Sequence, residues 1–410
     1  VTRHVAFVGP DVFDIYPEFV RGLKEVGARV SGLGHSPKER LAPTLKRLLD
    51  DYERVGNLLD PEALSAGARA LARRHPVDLI ETADESLVLA TAHARAALSV
   101  PGLSVHGATL CRDKPLMKET LRRAGVPCAA SDAVDSLASL AAFVEREGYP
   151  VILKPRSALG GLGTHRANNA KELETAAKKL GIDRGESAAV EEFIEGHEGF
   201  YDTISIDGEP VHEMVSHYYP NVLEALSGRH IAPQIAATNR VELASYDGLR
   251  EMGRKVIKAL GIGTSATHME WFYGPKGLKF SEIGARPPGE KLWNLYCVGN
   301  DIDLYREWAM VIVHQQRGAH LSRRAATGSI QVRPNVDGVV TQVAGLAELL
   351  PRLKPHIWAW QIPKPGTPTD PIYKGYLNNL WIRLQHPDYD QLRAMMDLIA
   401  ERVRLEARPA

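Results

Sequence analysis

A chain of 410 residues, 44% apolar and 24% charged, has the composition of a globular protein and is long enough for two or three domains. Its 50 basic and 50 acidic residues cancel, so the charge balance carries no nucleic-acid footprint, and any anionic ligand must be held by local charges. The longest apolar stretches, such as Trp308 to His314, are too short to span a bilayer; with a strand-like opening run, this makes the cytoplasm the expected location.

In chain order, the first hundred residues alternate strand and helix patterns. HVAFV (His4 to Val8) reads as a strand, Pro17 to Val26 as a helix, the region near Val30 as a strand, and Pro61 to Arg74 as a helix. DLIET from Asp78 is a strand again, followed by a helix to Leu98. That alternation predicts a parallel, doubly wound α/β domain, and the first turn, GPDVF from Gly9, lacks the GxGxxG of a dinucleotide site. A helix is expected over Asp113 to Arg123, with a boundary at Pro127 and a strand at Val151 to Pro155. After VEEFIEG (Val190 to Gly196) comes a hairpin at Asp207-Gly208, and Phe200 to Ile283 reads as antiparallel, α+β in character. A helix at Asp303 to His314 and a basic stretch, Arg317 to Arg324, precede a small β-rich appendage from Gly328, closed by a helix over Tyr389 to Arg404. Cys111, Cys128 and Cys297 have no CxxC spacing and predict neither a zinc site nor a disulfide framework.

Three segments carry chemistry. In VILKPRSALGGLGTHRA a lysine on an apolar strand, Lys154, precedes Gly160, Gly161 and Gly163. Small residues let backbone N–H groups approach an anion, and a buried lysine calls for one, although glycines alone also fit a hairpin turn. In VEEFIEGHEGF, a strand end at Glu191 to Ile194 can offer backbone groups to an adenine, with one carboxylate for its exocyclic amine and another for ribose hydroxyls. In THMEWFYGPKGLKFSEIGARPPG, two strands flank GPKG and each carries one glutamate, Glu270 and Glu282. A three-residue loop with Gly277 left-handed pairs Gly274 with Leu278 and sets Glu270 opposite Glu282, whereas a two-residue loop puts them on opposite faces. Paired carboxylates beside a phosphate suit Mg²⁺, and Arg286 in the following loop can face developing negative charge.

Taken together, these segments resemble the ATP-grasp superfamily, over nearly the whole chain and most closely its carboxylate–amine and L-amino acid ligase branch. The resemblance implies an α/β and α+β multidomain fold: an N-terminal α/β domain at 1–108, an ATP-grasp domain at 109–320 with a lid at about 127–190, and a C-terminal α+β subdomain at 321–410. It assigns phosphate contacts to Lys114, of the pair Asp113-Lys114, and to Lys154, with the lid glycines at 160, 161 and 163. Adenine is assigned to Glu191, Phe193 and Ile194, ribose to Glu198, and Mg²⁺ or Mn²⁺ to Glu270 and Glu282. Gly284 stands where such proteins often have a third ligand, an asparagine, while Arg286 is kept.

The implied reaction is ATP-dependent joining of a carboxylate, such as an amino acid, to an amine through an acyl phosphate, by a cytoplasmic enzyme that is expected to dimerise. Lys154 and Arg286 are the catalytic pair. A bicarbonate-using carboxylase and a non-catalytic ATP-binding regulator are the alternatives. Aromatic and basic residues nominate a substrate pocket of His217, Tyr218, Tyr219, Arg229, His230, His268, Trp293 and Asn294. Asp84 and Glu85, at the end of the strand DLIETADE, occupy the carboxyl edge where ligands bind α/β sheets; capping of the following helix is the role expected of them instead.

Overall fold

The computed structural model describes residues 2–157, 163–371, 374–375 and 377–409. The first sheet is parallel, ordered β3-β2-β1-β4, from β1 (His4–Val8), β2 (Arg29–Gly34), β3 (Asp51–Arg54) and β4 (Leu79–Thr82). Every residue of β1 is buried, because helices cover both faces of this sheet and the strand is apolar throughout rather than alternating. The helix Pro61–Arg74 shows how locally such an element is specified. Asp60 accepts the Glu62 N–H at 3.0 Å, Pro61 occupies the first turn, and Arg73 and Arg74 meet the carbonyl end. The sequence reading passes over β3, whose residues bury only Tyr52.

A small antiparallel sheet, β5-β8-β6-β7, follows from β5 (Ser131–Val134), β6 (Val151–Pro155), β7 (His165–Ala167) and β8 (Ala188–Glu192). Phe143, Val151, Leu153 and Val190 give it a core of its own, inside the span read as a lid. The third sheet is the largest, ordered β13-β12-β9-β10-β11-β14-β17-β16. Its strands are β9 (His197–Ile206), β10 (Glu209–Tyr219), β11 (Gln234–Thr238), β12 (Ser265–Gly274), β13 (Gly277–Gly284), β14 (Ala326–Val332), β16 (Ile357–Gln361) and β17 (Leu380–His386). A separate ribbon pairs β15 (Val339–Ala344) with β18 (Arg404–Arg408). The Asp207-Gly208 hairpin forms as expected, with φ of 49° and 85° at the two turn residues, where Asp and Gly are tolerated.

The segment expected to be an appendage continues the large sheet instead: β14 pairs with β11, and β17 and β16 follow outward. The last helix ends at Arg402, with Asp388 capping the Gln391 N–H at 2.9 Å, and the chain then turns into β18. One face of the large sheet, with Phe200, Ile204, Met214 and Tyr218, packs against the first domain and the helices Trp293–Asn300 and Leu304–His314. The opposite face, with Tyr201, Val215, Met269 and Trp271, packs against Val105–Arg112, Lys114–Arg123 and Asp247–Ala259. Among the described residues no helix is long and apolar enough to cross a membrane.

Candidate active site

The β12–β13 hairpin brings the two strand glutamates together by a route the sequence reading did not foresee. Gly274 pairs with Gly277 across a two-residue turn, Pro275-Lys276, rather than with Leu278. That turn alone would place the glutamates on opposite faces. A bulge after Trp271↔Phe280 takes up Ser281 as an extra residue, and the register resumes with Glu270 opposite Glu282. Pairing across the sheet then runs Glu282–Glu270–Phe200–Ser216, so both carboxylates lie on the face that meets the first domain.

Glu198 shares that face, and its Oε2 accepts the Val222 N–H at 2.7 Å. Burial, together with Glu282 and Glu198, pushes Glu270 up to about 8. Burial, reinforced by Glu282, raises Glu198 to about 7. Glu282 goes the other way: burial opposes its charge, but Lys114 and Lys154 outweigh it and hold the carboxyl below the usual range. Three carboxylates that cannot all ionise unaided are a setting a divalent cation would relieve, so the residues fit Mg²⁺. Among the described residues no three acidic, histidine or cysteine side chains converge on one ion position. Glu270 and Glu282 would therefore supply two oxygens, the rest coming from phosphate and water, as Mg²⁺ commonly takes them.

Three lysines stand against this acidic face. Asp113 caps the helix Lys114–Arg123 by accepting the Leu116 N–H at 3.1 Å, which sets Lys114 in the first turn and Lys118 one turn on, on the same side. Arg156, just past β6, donates to Asp113 at 2.5 Å and ties that helix to the small sheet. Lys114 Nζ lies 3.4 Å from Glu282, while Lys118 and Lys154 both contact Glu191 Oε2, at 2.7 and 2.9 Å. Burial resists ionisation of Glu191, yet the two lysines prevail and lower it to about 2. Burial likewise disfavours the Lys154 cation, but Glu191 and Glu282 raise its pKa; for Lys118 burial wins and the pKa falls. The sequence reading missed Lys118, although its spacing of four from Lys114 was visible.

Gly160 and Gly161 lie outside the described residues, and Gly163 adopts a φ of 71°. In the segment assigned to adenine, β8 is an interior strand that carries Glu191; beyond its end the Phe193 N–H donates to the Pro150 carbonyl at 3.1 Å, and the Phe193 ring carries the Arg166 guanidinium at 4.0 Å. Ile194 is buried where the chain leaves the small sheet for β9.

The nominated substrate pocket divides. His268 is on the carboxylate face: its Nδ1 bonds Asp202 at 2.7 Å, its Nε2 is 3.9 Å from Glu270, and Asp202 also accepts from Tyr296 OH at 2.6 Å. Tyr218 shares that face, with its ring 5.0 Å from Phe200. His217 and Tyr219 point to the other side of the sheet, since strand alternation sends them away from Ser216 and Tyr218; there His217 bonds His197 at 2.9 Å and Tyr246 at 2.8 Å. Trp293 is core against Phe19 and Tyr305, and Asn294 accepts from Tyr305 OH at 2.7 Å. Arg229 pairs with Asp337 toward the C-terminal region, and His230 is exposed beside Gly228. Asp84 caps its turn as expected, through the Ser86 N–H at 2.8 Å, but Glu85 does not: it bonds Arg112 at 3.0 Å and Arg286 at 2.8 Å. Asp202, Lys118 and Arg112 escaped the sequence reading, and the partners of Glu85 with them, because only the fold brings these side chains together.

Residues 113–286 match the family model described as carbamoyl-phosphate synthase L chain, ATP binding domain. The chain's particular relatives are distant. It is 24% identical over 268 residues to the carbamoyl phosphate synthase large chain of Bifidobacterium longum (strain DJO10A), an alignment taking in 62% of this chain and 23% of that one. The chain therefore spans under a quarter of that relative's length. The L-amino acid ligase from Bacillus licheniformis superposes with a TM-score of 0.78 at 18% identity, over 99% of both chains. The N5-carboxyaminoimidazole ribonucleotide synthetase from Thermotoga maritima does so with a TM-score of 0.68 at 17% identity, over 99% of this chain and 100% of that one. At these identities the likeness is one of fold.

Proposed function

We propose that the protein is an ADP-forming ligase that activates a small carboxylate with ATP and joins it to an amine. The observation that carries this reading is the opposed pair Glu270 and Glu282 on a rigid sheet, with Lys114 3.4 Å from Glu282 and Lys154 close enough to shift both carboxylates. Glu270 and Glu282 would hold Mg²⁺ or Mn²⁺, which when bound offsets phosphate charge. Lys154 leaves Glu191 for the phosphates while Lys118 keeps Glu191 paired, so the transfer strands no buried charge. The substrate carboxylate attacks the γ-phosphorus in line, ADP departs, and the amine displaces phosphate from the acyl phosphate. Arg286 offsets the oxyanion formed in that second step. Because acyl phosphates hydrolyse readily, the small sheet must shield the site while they persist. A cytoplasmic homodimer is the setting this reading proposes.

The test is ADP release from Mg-ATP across amino acids and small carboxylates, each with and without an amine and with and without bicarbonate. Release that needs both an acid and an amine is the expected result. Bicarbonate-dependent release would replace the ligase with a carboxylase, and MgADP binding without turnover on any combination would favour a regulator.

A further inference from the structure

Gly284 has no side chain, and the space one would take is filled from another domain. A Cβ placed on Gly284 would overlap Glu85 Oε2 and lie 3.1 Å from Glu85 Cδ. Glu85 follows β4 in the short turn Glu85–Leu87 of the first sheet. Asp84 spends its carboxylate on the Ser86 N–H and hydroxyl, and with the turn so fixed Glu85 extends toward the end of β13. There its two oxygens divide their work. Oε1 accepts from Arg112 Nη1 at 3.0 Å, and Oε2 accepts from Arg286 Nε at 2.8 Å. Arg112 also donates to the Ser157 carbonyl at 2.7 Å, at the end of the strand that bears Lys154. Glu85 is 8% exposed, so these are charge-assisted bonds shielded from water.

We infer that Glu85 is a positioning residue of the active site: it reaches through the space left open at Gly284 to fix Arg286. The inference rests on the ligase reading, in which Arg286 faces the reacting acyl group. Two guanidiniums share this one carboxylate, and Asp202 is the next acid to act on Arg286. A guanidinium held through Nε cannot swing freely about its long side chain, and orientation of that kind counts most in the transition state. The bond also crosses between the first domain and the large sheet, so the site is complete only when these two are docked. The atom a Cβ would strike is the far end of a flexible side chain, so alanine at 284 should displace the Glu85 carboxylate and leave the backbone in place.

The test compares Glu85→Ala, Gly284→Ala and the double variant in the full-length protein. Three quantities are read: the kinetics of ADP release on the wild type's best acid and amine, MgADP affinity by calorimetry, and thermal unfolding. Each single variant should lose about 100-fold in kcat, with KM for ATP and MgADP affinity within about twofold of wild type. The double variant should be no worse than Glu85→Ala alone, because the displaced carboxylate is already gone. Unfolding temperatures give an arm free of turnover, in which the two substitutions must again fail to add. Unchanged kcat in a folded Glu85→Ala protein, or additive losses in the double variant, would overturn the inference. Failure of the wild type to bind MgADP would count against the ligase reading instead, and is seen without any variant.

Discussion

At the scale of single residues, the site is organised by which charges are left over. Glu191, assigned to the adenine segment, is in this structure the shared partner of Lys118 and Lys154, and its depressed pKa records two cations against one anion. Glu270 shows the reverse, an acid among acids, which a cation would ionise. Glu282→Ala removes one of the two strand carboxylates at a partly exposed position; it is expected to cut ADP release at least about 100-fold with little change in unfolding temperature. Full activity in a folded Glu282→Ala protein would sink the metal assignment.

His217, on the far face, makes a prediction of a different kind. Burial, then His197 and Arg393, lower its pKa to about 3, so the folded chain keeps it neutral while the unfolded chain protonates near 6.5. Stability from this group is intact above pH 6.5 and declines as pH falls from there toward 3, by up to about 1.4 kcal/mol per pH unit. Chemical denaturation at pH 7.5, 6 and 5 should show a steeper loss for the wild type than for His217→Gln. Equal slopes would mean the histidine is already charged in the fold.

At the scale of elements, the β12–β13 hairpin is the decisive piece. Its turn is one residue shorter than the reading that paired the glutamates required, and the bulge at Ser281 restores the pairing. Register in a hairpin is set by turn and bulge together, and a one-residue slip would turn one carboxylate to the wrong face. Gly277 sits just after the turn at φ 75°, with nothing within 4 Å of where its Cβ would be, so alanine there tests the backbone alone. Gly277→Ala should cost about 1–2 kcal/mol in urea denaturation. A neutral effect would show that the hairpin can relax to a negative φ.

At the scale of the whole molecule, no sheet bearing the site stands alone. One core joins the first sheet, the helices at 293–300 and 304–314, and the large sheet, and that sheet does not end where the family match ends at 286 but continues through β14, β17 and β16. A chain ending at residue 325 would uncover β11 along its hydrogen-bonding edge and remove the core around Ile330, Leu384, Leu392 and Met396. Such a truncation is expected to aggregate, with no cooperative unfolding transition by calorimetry. A soluble, cooperatively folding product would show the C-terminal strands to be dispensable.

The sequence alone determined the local pieces: the parallel first domain, the Asp207-Gly208 turn, the capped helix opening on Lys114, the lysine strand and the two glutamate strands. These follow from periodicity, turn chemistry and capping, which act over a few residues. Only the tertiary structure decided which face each side chain serves and which distant partner it meets. It sent His217 and Tyr219 away from the carboxylates, put Trp293 in the core, set Lys118 on Glu191, and brought Glu85 across 199 positions to the space beside Gly284. Those outcomes depend on sheet register and domain docking, which the packing of the whole chain settles and no short window contains.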